Sequence, residues 1–522
     1  MNALNSASQA LGPSRRTGYP RAQWPARLGV ALSAIALAAL AGCANLGNSH
    51  STQTLTQPGQ LASAQTLPSQ GGQWPTMNWV DQFNDPQLHA LVDEAIKDNP
   101  NLQVAFARVR ASRAMADVVR GNLYPSVGLD AEMTRQRLSS YDLFEGTPLG
   151  GNWFTESKIQ LGVSYDLDFW GKNRSALEAA LSDDKAIEAE SQAARLMLST
   201  TVARTYAKLA ALYAQRDVAQ RAIDQRKDLT NLASQRVRAG LDTQVETTQA
   251  RANVAAAQTE LEQVDEQIAL ARNQLAALLG KGPDRGLSIT RPTLLAQGTP
   301  KLPNNLTIDL IGRRPDLVAA RWRVEAASKD IDVAKAEFLP DISLTAFLGV
   351  ASILPENLLL GNSRQLGIGP ALKLPIFQGG KLRANLRGKY ANYDAAVASY
   401  NQTLTEALHD TADQITALHS IDTQIAIQRT ALTEAERSYS LARTRYGAGL
   451  GTQLTVLNAE TTVLQQRKLA TDLQARRLDV QMALIKALGG GYTAEELPGA
   501  KPTHSAPDTT TGEAAQQAPS HS

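Results

Sequence analysis

The residue types that usually carry catalysis or bind metals are thinly spread in this chain. Its six histidines are His50, His89, His409, His419, His504 and His521, and they show no ligand spacing. His409 and His419 lie ten apart in a stretch of helical composition, as unrelated surface residues do. Gly171-Lys172-Asn173 lacks the glycine frame of a phosphate loop, so no nucleotide site is expected. Ser, Asp and Glu are plentiful along the same helical stretches, where solvated faces explain them. These patterns predict no enzyme, no metal and no cofactor. The single cysteine, Cys43, excludes an internal disulfide framework and a cysteine-rich metal site. Its own chemistry must come from its surroundings.

Those surroundings are an address. Arg15, Arg16, Arg21 and Arg27 precede an apolar run, Leu28 to Leu40, with no acid before it. A basic region followed by an apolar stretch too short to span reads as a secretory signal over residues 1–42. Leu40-Ala41-Gly42-Cys43 resembles a bacterial lipobox. The resemblance implies cleavage before Cys43 and its acylation, and Ala44 in place of Asp implies sorting to the outer membrane. Each buried CH₂ contributes ~0.8 kcal/mol, so more than one chain is needed for a lasting hold.

Composition narrows the rest. The chain has 522 residues, 43 % hydrophobic and 20 % charged, with Lys+Arg 52 and Asp+Glu 50. That balance excludes disorder over most of the length and gives no basic footprint for nucleic acid. Cleavage would remove four arginines and no acid, turning the formal charge from +2 to −2. Mean hydropathy is −0.25, and no later stretch has the ~20 apolar residues of a spanning helix. Residues 43–76 carry no charge and read as a lipid-anchored linker, while 493–522 read as a disordered tail.

The elements that remain are duplicated. Asn99-Pro100-Asn101-Leu102 to Leu129 matches Arg314-Pro315-Asp316-Leu317 to Leu344 at an offset of 215. Arg238-Ala239-Gly240-Leu241 matches Gly447-Ala448-Gly449-Leu450 at an offset of 209, which persists to Gly280 and Gly489. The body is therefore one unit built twice, over 77–300 and 301–492. Each copy holds two stretches of period two: about 125–137 and 157–169 in the first, about 340–350 and 365–376 in the second. Val127, Leu129, Ala131 and Met133, alternating with polar residues, are typical. Such lengths suit tilted membrane strands, but four strands cannot close a barrel, so oligomerisation is expected. The rest, 172–280 and 381–488, is proline-free and rich in helix formers. Each copy starts with a helix of near 67 residues, about 100 Å long, that turns at Gly240 or Gly449. Leu261, Val264, Ile268, Ala271, Leu275 and Leu278 form a coiled-coil seam.

Specific segments then resemble the TolC family of outer-membrane factors, in its NodT/OprM-like lipoprotein branch. Trp79-Val80-Asp81-Gln82-Phe83 resembles the opening of that branch, and Arg313-Arg314-Pro315-Asp316 its second half. Tyr165-Asp166-Leu167-Asp168-Phe169-Trp170-Gly171-Lys172 and Leu374-Pro375-Ile376-Phe377-Gln378-Gly379-Gly380-Lys381 resemble its two strand-to-helix corners. Gly171, Gly379 and Gly380 supply a permissive backbone there. The resemblance implies a mainly α fold with a membrane β-barrel: a homotrimer with a 12-stranded barrel and a long α-helical barrel. It implies a passive efflux duct for drugs or toxic small molecules, joined by a periplasmic adaptor to an inner-membrane RND or MFS transporter. Arg238, Gly240, Leu241, Gly447, Gly449 and Leu450 would be adaptor-docking tips. Leu454, Asn458 and Arg445 would form the periplasmic gate, with Asn458 standing where the family has an acid and Arg445, like its counterpart Arg236, tying neighbouring helices or lying as a plain surface arginine. Competing readings are a type I protein-secretion channel and a non-channel periplasmic coiled-coil or adaptor lipoprotein.

Overall fold

A computed structural model describes residues 48, 50–63, 65–141, 147, 150–294, 301–304 and 306–495. Cys43, the signal segment 1–42 and the tail beyond 495 lie outside the described residues. The first copy runs α1 (Pro86–Asp98), α2 (Pro100–Gly121), β1 (Ser126–Arg137), β2 (Trp153–Asp166), α3 (Lys172–Arg238) and α4 (Gln244–Leu278). A short α5 (Asp284–Leu287) follows. The second copy runs α6 (Leu306–Arg313), α7 (Pro315–Ala336), β3 (Asp341–Ser352), β4 (Arg364–Lys373), α8 (Lys381–Gly447) and α9 (Gln453–Ala487). Both long helices, α3 and α8, have 67 residues, and both returning helices have 35.

Local chemistry starts and stops these helices. Pro86, Pro100 and Pro315 occupy first-turn positions, where a missing N–H costs nothing. Asp85 and Asn99 cap α1 and α2 with their side-chain oxygens. The start of α2 is also tied to the end of α4, where Asn99 Nδ2 donates to Leu278 O at 2.8 Å. In the second copy Arg314 takes that position, and its Nη1 lies 3.5 Å from Ala487 O. Leu278 and Ala487 are equivalent at the 209 offset, so two different side chains reach the same carbonyl. Gly280 and Gly489 close both junctions with positive φ. A Cβ at Gly489 would stand 1.9 Å from Arg313 O.

The sheet order is β1-β2-β3-β4, all antiparallel, with the two outer edges unpaired among the described residues. Register decides what each face carries. Val127, Leu129 and Ala131 pair with Val163, Leu161 and Ile159. Those in turn pair with Ala346, Leu348 and Val350, and onward to Ile368, Leu366 and Arg364. One face is thus apolar across all four strands, and the other carries Asp130, Glu132, Glu156, Lys158 and Gln160. Three bounds differ from the sequence expectation by three residues or more, one of them the end of β2, at Asp166 rather than 169. β2 begins at Trp153 rather than near 157, because Arg137 through Thr134 of β1 pair with it. β4 ends at Lys373 rather than 376, just before Pro375, which has no N–H for a ladder.

The largest core cluster joins Trp79, Val80 and Phe83 to α1, α3, α4 and α9. Tyr206, Leu209 and Leu275 are fully buried there. Residues 51–67, expected to be a spacer, are docked. Ser51 and Thr52 hydroxyls donate to Asp394 at 2.6 and 2.8 Å, and Thr56 N donates to Asn401 Oδ1 at 2.8 Å. Leu55 and Leu61 pack beside Val397, Tyr400 and Leu404. Three leucines in an otherwise polar segment give it enough apolar surface to dock.

Candidate functional site at the helical tips

The two hairpin tips share one backbone solution. In the first, Gly240 has φ +69°, Gly240 N donates to Val237 O at 3.0 Å, and Leu241 N to Arg236 O at 2.9 Å. In the second, Gly449 has φ +77°, Gly449 N donates to Tyr446 O at 3.0 Å, and Leu450 N to Arg445 O at 2.8 Å. This is the glycine-terminated helix end, repeated at the same offset. Leu241 and Leu450 are 63 % and 70 % exposed. Arg238 and Gly447 are exposed beside them. After the turn, Thr243 and Glu246 form a capping box at the start of α4.

Arg236 ties the two tips together through two partners that no spacing announces, Asp242 and Tyr446. Arg236 donates to Asp242 through Nε at 2.8 Å and Nη2 at 3.1 Å. Its Nη1 crosses to the other hairpin and donates to Tyr446 O at 2.8 Å. The guanidinium also stacks 4.5 Å from the Tyr446 ring centroid. Tyr446 Oη donates to Asp242 at 2.5 Å, closing the triangle. Both charged side chains are nearly buried, at 11 % and 12 % exposure. Arg236 holds the Asp242 carboxyl below its usual range. Burial, and then Asp242, push the Tyr446 phenol up. Leu229 and Val456 pack against Tyr446 from either hairpin.

The three residues expected at the gate are all exposed in the single chain. Leu454 is 65 % exposed, and Asn458 is exposed one turn further along α9. The Arg445 side chain is exposed and makes no hydrogen bond to a described residue, whereas Arg236 ties the two hairpins of the chain. Its counterpart differs because Gly451 replaces Asp242 in the second copy. The acid nearest in sequence to Asn458, Glu460, is buried on the other side of α9 and takes Arg226 Nε at 3.1 Å. Burial raises the Glu460 carboxyl, against the pull of Arg226.

At the other end of the long helices, Gly171 has φ +75°, Gly379 +56° and Gly380 +84°. Gly171 and Gly380 are the residues immediately before α3 and α8. Asp168 does the capping for α3, accepting from Asn173 N and Arg174 N at 3.0 Å each. Trp170 Nε1 donates to Pro340 O at 2.8 Å and Lys172 pairs with Asp341 at 2.9 Å, tying one copy's corner to the other's. His409 and His419 are exposed. Among the described residues no group of three acids, histidines or cysteines could hold a metal.

Residues 91–281 and 307–490 match the Outer membrane efflux protein family. The chain belongs to that family. The two matched spans follow the two structural copies. The chain is 33 % identical over 463 residues to the multidrug resistance outer membrane protein MdtP of Escherichia coli K12, covering 87 % of this chain and 94 % of MdtP. It is 36 % identical over 370 residues to the fusaric acid resistance protein FusA of Burkholderia cepacia, covering 70 % of each. The fold matches the crystal structure of the outer membrane protein VceC from Vibrio cholerae at TM-score 0.76 and 38 % identity, covering 80 % of this chain and 100 % of VceC. Like the family, the chain is an outer-membrane efflux channel subunit with a TolC-like fold, its long helices reaching into the periplasm. The family is one of channels rather than enzymes.

Proposed function

We propose that three copies of the acylated chain close a twelve-stranded barrel and form the exit duct of a tripartite efflux pump. The observation that carries this is the sheet: four strands, one continuous apolar face and two open edges. An open edge in lipid costs several kcal/mol per unpaired group, so β4 of one copy pairs with β1 of the next. Cargo is a drug-like or toxic small molecule, in keeping with the resistance functions in the names of MdtP and FusA. Transport through this chain is passive. Energy comes from an inner-membrane transporter of RND or MFS type, linked by a periplasmic adaptor.

The adaptor meets the tips. Leu241 and Leu450 offer paired apolar knobs on small-residue turns, and Arg238 flanks the first. Leu454 and Asn458 face the narrowed pore, which closes by apolar contact and hydrogen bonding rather than by charge. Gly449→Val tests the docking role. A Cβ there would meet only Arg236 Nη1, at 3.8 Å, so the strain stays in the turn. Trimers should persist in outer-membrane fractions while co-purification with the adaptor is lost; retained adaptor binding and efflux would refute it. Leu454→Ala should raise single-channel conductance, and an unchanged value removes Leu454 from the gate.

A further inference from the structure

The register separates the charges of the sheet in a way that closure of a barrel does not require. The strands contain three arginines, Arg135, Arg137 and Arg364. All three lie on the apolar face, with Arg135 and Arg137 in line with Met133 and Ala131, and Arg364 in line with Leu366 and Ile368. Every strand carboxylate, Asp130, Glu132, Glu156, Asp166 and Asp341, lies on the other face, as do Lys158 and Lys373. The arginines are also confined to one end. Arg137 precedes the β1–β2 connection, and Arg364 directly follows the β3–β4 connection. The helices leave from the opposite end, so this is the end away from the periplasm.

An arginine in the middle of a lipid-facing strand costs ~2–4 kcal/mol, falling to ~0–1 near the interface. Three on that face therefore mark the interface itself. Aromatic and apolar side chains mark the same level. Trp153 pairs with Arg137 and is 64 % exposed. The β3–β4 connection exposes Leu359 and Leu360 and packs its Pro355–Asn357 turn against β2.

The stagger of the strands brings the arginines level. Followed through the register, the loop-side ends of β1, β3 and β4 fall opposite Arg137, Met133 and Ala131 of β1. Strands tilted by about 35–45°, as in membrane barrels, turn such a stagger into a common height. On the trimer reading above, on which this step rests, β4 of one copy adjoins β1 of the next. Arg364 then joins Arg135 and Arg137 across each junction. Arg137 is already oriented, its Nε donating to Gly151 O at 2.6 Å. Arg135 and Arg364 are exposed and bond to none of the described residues.

We propose that this arginine cluster binds the phosphates of an anionic glycolipid in the outer leaflet, one site at each junction between copies. Guanidinium forks match phosphate oxygens bidentately, and the neighbouring tryptophan and leucines suit the acyl and sugar region. The occupant is a lipid because the face is continuous with the membrane-embedded one. The strand carboxylates are all turned to the lumen.

The test uses the channel purified from outer membranes in mild detergent. Wild type should retain phosphorylated glycolipid, read by native mass spectrometry. Arg135→Gln and Arg364→Gln should each weaken retention by about fivefold. Lys158→Gln, on the lumen face of β2, should change nothing. Wild type incubated with bis-phosphorylated lipid A should bind it, and should bind the dephosphorylated form at least about tenfold less. Millimolar inorganic phosphate should not displace it. Equal binding of the two lipid A forms overturns the proposal even if every variant fails to assemble. Displacement by free phosphate overturns the lipid assignment. If a heat-modifiable trimer is absent even in wild type, the trimer reading fails separately.

Discussion

Asp242→Ala removes the one acceptor that Arg236 and Tyr446 share. Two guanidinium bonds, at 2.8 and 3.1 Å, and one phenol bond at 2.5 Å disappear together. Breaking a fully buried ion pair costs about 3–5 kcal/mol. Here the charges keep 11–12 % exposure, and Arg236 keeps its bond to Tyr446 O and its stack on the ring. Those remnants and entering water reduce the loss to ~2–3 kcal/mol. If the pair of hairpins opens as a unit, that loss multiplies the open population by roughly 30 to 150.

The assay is hydrogen exchange on the assembled channel, followed in peptides covering 229–246 and 439–457. Protection should fall in both, because the bonds cross between hairpins. Single-channel recordings should show more frequent opening. Tyr446→Phe removes only the phenol bond and should give a smaller effect in the same direction. A loss confined to 229–246 would show that Asp242 shapes only its own turn and does not join the hairpins. The pH dependence follows from the direction of the shift. Arg236 lowers the Asp242 carboxyl from 3.8, so the clasp is complete above that value and is lost only as pH falls through the lower folded one. Between about pH 5 and 8 opening should be insensitive to the Asp242 charge.

Gly489→Ala should abolish folded channel, because the new Cβ would stand 1.9 Å from Arg313 O on a backbone at φ +85°, a cost of at least ~3 kcal/mol. Gly388→Ala, within α8 and with nothing inside 4 Å, should instead raise thermal stability, by about 0.5–1 kcal/mol. His89 bridges Asp81 at 2.6 Å and Asp93 at 3.1 Å, and Asp81 above all raises its imidazole from 6.5. Its staple between the 79–83 turn and α1 is therefore complete below about pH 6.5 and fades as pH rises through the folded value. Exchange in 79–98, corrected for intrinsic rate, should be slower at pH 6 than at pH 8, and His89→Ala should erase the difference. Asp394, pulled down to about 2 chiefly by Ser51 and Thr52, holds the N-terminal segment at all physiological pH. Asp394→Ala should make residues 50–63 sensitive to limited proteolysis while the channel stays assembled.

Periodicity made the architecture readable. Alternation in β1 to β4, proline-free stretches of helix formers, and glycines at matched positions are local signals, and the fold follows them. The duplication told which hairpin resembled which. Contacts made between distant segments were not readable. Asp242 and Tyr446 are 204 residues apart, and their bond depends on how two hairpins pack. Gly489 stood out only as the match of Gly280, yet its hydrogen is needed because Arg313 passes against it. Residues 51–67 looked like a spacer, since composition does not show that Leu55 and Leu61 have a surface waiting on α8. The segregation of Arg135, Arg137 and Arg364 from the strand carboxylates needed the register, because a shift of one residue would have reversed it.

Duplication and difference do separate work at the tips. Two identical hairpins would lock by two equivalent clusters, and opening would have to break both. Here the second copy has Gly451 where the first has Asp242, and Val237 stands opposite Tyr446 at the 209 offset. Only one clasp can therefore form per chain. The first hairpin gives the guanidinium and carboxylate, and the second gives the phenol and a carbonyl. The substitutions that remove the second clasp also leave the Arg445 side chain without a hydrogen bond among the described residues, on a second hairpin that already exposes Leu454 and Asn458. The second hairpin is thus held to the first by that cluster at the tip, by the Arg226–Glu460 pair and by Gln453 Nε2, which donates to Glu246 O at 3.1 Å, while Leu454 and Asn458 stay exposed. The divergence of the two copies therefore leaves one clasp at the tips rather than two, and opening there has one shared carboxylate to release.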